Sequence, residues 1–140
     1  MRKKQGKIAL LASALLFSNL SFSDMAVIVH PENTSTFNED IIKKIFLGKL
    51  TKFTNGLIAI PMNASEDMPT YDAFNDKMTG KSRTQINAYW ARLVFTGKGD
   101  MPKVLSSDID IVSTVSVNPG AISYVDSSSV TDKVKVIANF

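Results

Sequence analysis

Apolar and polar positions change period several times along these 140 residues. Met25-Ala26-Val27-Ile28-Val29-His30 is a β-branched run stopped by Pro31, which predicts a first strand. Asn38 then stands as an N-cap, with Glu39 and Asp40 where a helix dipole favours acids. Ile41, Ile42, Ile45 and Phe46 recur at helical spacing up to Gly48, a position for a C′ glycine. Asn55-Gly56 marks a turn. The continuous run Leu57-Ile58-Ala59-Ile60-Pro61-Met62 after it predicts a strand covered on both faces.

The polar stretch from Asn63 to Pro69 opens a second helix through Tyr71, Phe74 and Met78, ended by Gly80. Ser82 caps a third, with Ile86, Tyr89, Trp90, Leu93 and Val94 as its apolar face. Ser107 caps a fourth, carrying Ile109, Val112 and Val115. Asn118-Pro119-Gly120 cannot continue that helix, and predicts a type II turn with positive φ at Gly120. Ala121–Val125 and Val134–Ile137 read as further strands. Strands alternating with helices define an α/β domain.

The first 23 residues change the charge balance. MRKKQGK is followed by IALLASALLFSNLSF, an apolar core too short and too serine-broken to span a bilayer, and Ser21-Phe22-Ser23 supplies the small residues of a cleavage site. Residues 1–23 therefore read as a secretory signal peptide and 24–140 as the mature domain, placed in the periplasm. Arg2, Lys3, Lys4 and Lys7 leave with the leader, so 12 of the 16 Lys and Arg face 13 Asp and Glu, close to −1. Nucleic-acid binding has no electrostatic support at that balance. The absence of cysteine suits a bacterial periplasmic protein of this size better than a disulfide scaffold.

No catalytic or metal constellation emerges. His30 is the single histidine, so a histidine-rich or Cys–His zinc site is excluded, and its place at a strand end is structural. Thr79-Gly80-Lys81-Ser82 resembles the tail of a phosphate-binding P-loop, but Asn75 occupies the first glycine position and the piece lies between two helices. Asp108 and Asp110, two apart on a helix, do not pair. Glu66 and Asp67 are loop acids, and Trp90 at helical spacing with Ile86 and Leu93 reads as core. No cofactor is implied, and binding is the remaining function class.

Taken in order, "IFLGKLTKF", "NG", "IAIP", "YWARLVFTGKGDMPKVL" and "NPGAISYV" form a series. It resembles the phosphate ABC-transporter substrate-binding protein family, within the type II periplasmic-binding-protein superfamily, over about residues 25–137. The resemblance implies an α/β fold with a mixed sheet flanked by helices, and a single lobe, the second, made free-standing. In that family IFLGK closes a helix and starts a turn, which leaves Lys49 and Lys52 no ligand role.

Phosphate-binding members carry an arginine, glycines and a Ser-Gly-Thr run after the second strand. This chain has Asn63-Ala64-Ser65-Glu66-Asp67-Met68-Pro69-Thr70-Tyr71 instead. The resemblance leaves Ser65 and Thr70 as ligand donors, with Asn63 as a further candidate. Pro69 removes a backbone donor, and the two carboxylates repel an anion such as phosphate. Two functions follow: a periplasmic solute-binding homologue with weak or altered binding, or a ligand-free interaction module of an envelope complex or sensor. A lone lobe closes a cleft on a small molecule only if it dimerises.

Overall fold

The computed structural model describes residues 24–140, and the signal peptide expected over residues 1–23 lies outside the described residues. Five strands form one mixed sheet in the order β3-β2-β4-β1-β5. These are β1 (Met25–Val29), β2 (Ile60–Ala64), β3 (Lys103–Leu105), β4 (Ala121–Asp126) and β5 (Lys135–Asn139). β2 runs parallel to both β3 and β4, whereas β1 is antiparallel to both β4 and β5. All five residues of β1 are buried, as are the first five of β4, so both strands are covered on two faces.

Helix α1 (Glu39–Phe46) begins as its sequence predicts: Asn38 Oδ1 accepts the Ile41 N–H at 2.8 Å. It ends at Gly48, whose φ of +69° allows the Lys49 N–H to reach the Lys44 carbonyl at 2.8 Å. α2 (Pro69–Phe74) widens into a π-helical turn over Asn75–Thr79. There Asn75 Nδ2 donates to the Tyr71 carbonyl and Thr79 Oγ1 to the Asn75 carbonyl, at 3.1 and 2.7 Å. α3 (Arg83–Phe95) carries a complete capping box between Ser82 and Gln85, and α4 (Asp108–Val117) is capped by Ser107. Phe46 of α1 and Phe74 of α2 meet on Tyr124 of β4, with the Phe74 and Tyr124 rings stacked at 3.8 Å.

Four expectations are corrected. The strand after Asn55-Gly56 starts at Ile60, three residues later than expected. Leu57 and Ile58 instead return along the turn, through a Phe53 N–H bond to the Leu57 carbonyl and a Lys52–Ile58 bridge, and Ile58 is 66% exposed. Strand β3, too short to leave a pattern, was not foreseen. On the helices, Ile109 and Val94 lie outside the buried faces, and Ile111 takes the core position beside Val112 and Val115. Gly120 closes an Asn118–Ala121 turn without positive φ. What it supplies is space, because a Cβ there would lie 2.7 Å from the Ile58 carbonyl oxygen. Trp90 is core as expected, 3% exposed.

Candidate functional site

The parallel strands β2, β3 and β4 present their carboxyl ends along one edge of the sheet. In open α/β sheets that edge, where the strand order reverses, is where ligands bind. The chain leaving β2 there contains all three residues singled out in the sequence.

Asn63 is half-buried, and its Oδ1 accepts the Tyr124 hydroxyl at 3.2 Å. The same hydroxyl accepts the Ala64 N–H at 3.2 Å, so Tyr124 ties the end of β2 to β4. Burial pushes the Tyr124 phenol well above the usual tyrosine range. Ser65 continues the ladder, its N–H donating to the Leu105 carbonyl at 3.0 Å, and its hydroxyl is held by the Asp67 carboxylate. Thr70 is 5% exposed, with its Oγ1 unpartnered among the described residues. Met68 caps α2 without a side-chain bond, and Pro69 at the first position has no N–H to offer. The three residues thus span the end of β2 and the start of α2, and their polar atoms do not converge as donors: one is tied to Tyr124, one to Asp67, and one is buried.

An arginine does reach this loop, from a place sequence reasoning missed. Arg83, the first residue of α3, donates from Nη2 to the Glu66 carbonyl at 2.6 Å. It also grips Asp72 through Nε at 3.2 Å and Nη2 at 2.9 Å, and lies 3.8 Å from the Glu66 carboxylate. Its guanidinium stands 5.6 Å from the Tyr71 ring centroid. The Asp72 hydrogen bond, against some desolvation, raises the Arg83 pKa, and burial followed by Glu66 raises that of Tyr71. One cation therefore faces Glu66 and Asp72, whose carboxylates a free anion would have to displace. No local sequence signal joins Arg83 to Glu66, seventeen positions earlier; the π-helical turn and Gly80 bring them together.

Among the described residues, a mixed five-stranded sheet with helices packed on it defines an α/β fold. No protein-family model and no curated protein sequence matches the chain. Solved structures do match. An ABC-type phosphate transport receptor from Vibrio cholerae superposes with a TM-score of 0.64 at 16% identity, over 81% of this chain and 44% of its own. A protein of Clostridium perfringens, assigned as a phosphate ABC transporter substrate-binding protein and solved with bound phosphate, gives 0.64 at 22% identity, over 81% and 43%. PstS from Borrelia burgdorferi gives 0.60 at 15% identity, over 83% and 47%. The described residues have the fold of one lobe of the phosphate ABC-transporter substrate-binding proteins, and the chain spans less than half the length of these structures.

Proposed function

We propose that the protein is a periplasmic relative of the phosphate-binding transport receptors whose ligand loop no longer suits phosphate, and that it works by binding rather than catalysis. The observation that carries this reading is the charge arrangement after β2. Arg83 is clamped by Asp72 and Glu66, and the Ser65 hydroxyl by Asp67. An oxyanion site needs several N–H and hydroxyl donors converging at one point with a positive group beside them. Here Arg83 and the Ser65 hydroxyl are engaged by carboxylates, and the Thr70 hydroxyl is buried. Losing two or three charge-assisted hydrogen bonds, each worth about 1.5–3 kcal/mol, weakens binding by several orders of magnitude.

Phosphate should therefore bind no more tightly than roughly the high micromolar range. Calorimetric titration with phosphate at neutral pH, on protein purified after expression of the full chain, tests this. A submicromolar dissociation constant would sink it and would require donors from a second copy or from elsewhere in the chain.

A protein-interaction role is the second reading, favoured by the exposure of large apolar side chains. Phe95 is 92% exposed, Ile109 81% and Val117 78%. In that case the partner is a protein of the cell envelope.

A further inference from the structure

The carboxyl ends of α1 and α3 come together with residues 51–61 around a cleft of about 650 Å³, on a part of the molecule that shares no residue with the Ser65 loop. Tyr89, Leu93 and the exposed Ile58 give it an apolar lining, with Trp90 buried behind them. Gly48 and Gly99 let the backbone close on the Trp90 ring: a Cβ on either would meet ring atoms at 3.1 and 3.6 Å. Lys49, Arg92 and Lys98 line the same cleft, and Asp100 is the one acid among the lining residues. Tyr89 and Arg92 are shared with an adjoining hollow of about 450 Å³, where Lys81 lies 5.6 Å from the Tyr89 ring centroid. The two hollows form one groove with four cations.

None of these four cations belongs to a salt bridge among the described residues. The helix dipoles explain part of the charge, since a helix carboxyl end amounts to roughly half a negative charge. Two such ends account for about one cation, not four. The surplus lies in a chain whose residues 24–140 are slightly acidic overall, so it is a local feature and not a general basic character.

We infer that this groove is a docking site for an extended, acidic segment of a partner protein, with carboxylates on Lys49, Lys81, Arg92 and Lys98 and apolar side chains over Tyr89, Leu93 and Ile58. Charge complementarity supplies the selection of partner, and the apolar lining the desolvated contact. The cations line two hollows that share Tyr89 and Arg92, an arrangement that an extended segment can follow from one to the other. Two adjoining hollows are longer than a small anion needs.

Trp90 is the single tryptophan, and its ring lies 5.4 Å from that of Tyr89, so its emission senses changes at the groove. The probe is a synthetic heptapeptide alternating glutamate with leucine and phenylalanine, compared with its glutamine counterpart. The glutamate peptide should change Trp90 emission saturably, and its binding should weaken as salt is raised. Combined Lys49→Glu and Arg92→Glu should weaken it by about tenfold or more, since each reversed pair turns a modest attraction into repulsion. Both residues are exposed, so the unfolding midpoint of that variant should stay close to wild type, and circular dichroism checks this. Equal binding of the two peptides, undiminished binding by the folded variant, or no binding at all would overturn the proposal. So would charge-dependent binding to phosphatidylglycerol vesicles with no response to the peptide, which would make the groove a membrane contact.

Discussion

Gly120 shows how a residue can be required for a reason its sequence context misstates. Pro119-Gly120 reads as a type II turn, yet what the structure demands is the missing side chain, with the Ile58 carbonyl 2.7 Å from where a Cβ would be. Gly120→Ala and Gly120→Asn should therefore destabilise to a similar degree, by about 1–3 kcal/mol as overpacking does. Chemical denaturation of both variants checks this, and a markedly milder asparagine would restore the positive-φ explanation. Tyr124 carries a pH dependence whose direction follows from its burial. Its folded pKa is raised, so the stability held by the neutral phenol is complete below the unfolded value near 10 and is lost as pH climbs above it. Tyr71 and Tyr89 are raised too and act in the same direction. The unfolding midpoint should fall above pH 10, and less steeply in Tyr124→Phe. At neutral pH that variant should lose about 1–3 kcal/mol, because the buried Ala64 N–H is left without its acceptor.

Elements with chemical punctuation were legible in the sequence, and those defined only by their neighbours were not. Asn38, Ser82 and Ser107 cap the helices they announce, and Gly48, Gly80 and Gly97 follow helix ends with positive φ. Helix faces are less legible, because the apolar residues of α4 alternate with Asp, Ser and Thr around the helix and its spacing admits more than one inward face. The sheet selects Ile111, which is fully buried, and leaves Ile109 in solvent. Ile111→Ala should accordingly cost about 2–5 kcal/mol, whereas Ile109→Ala should stay within about 0.5 kcal/mol of wild type. Thermal melts of the pair separate the two faces, and equal losses would contradict the packing described. Strand β3 escaped notice because three half-exposed residues have no period to display; pairing with β2 alone makes them a strand.

At the scale of the molecule, the order of Asn63, Ser65 and Thr70 along the chain is legible in the sequence, but the partners of their polar atoms are not. Asn63 lies near the end of β2, Ser65 follows the strand in the loop, and Thr70 sits in the first turn of α2. The state of their polar atoms depends on Tyr124 and Arg83, which only the fold brings near. Neutralising the carboxylates together, with Glu66→Gln, Asp67→Asn and Asp72→Asn, should release Arg83 and the Ser65 hydroxyl. Phosphate binding should then tighten by at least about tenfold, on the scale of one recovered charge-assisted hydrogen bond. Calorimetry on the triple variant decides it: unchanged affinity would show that these acids are not what keeps phosphate out.

Strand β1 is encoded first among the described elements, yet both its sheet neighbours, β4 and β5, are encoded last. Met25 pairs with Asp126, and its N–H bonds the carbonyl of Phe140 at 3.0 Å. During synthesis, a chain halted after α4 would have α1 to α4 and no partner for Val27, Ile28 and Val29, the three most apolar residues of the strand. Contacts this distant in sequence close slowly. A nascent chain therefore keeps an adhesive β segment uncovered for most of its time on the ribosome, which is the kind of segment that chaperones hold.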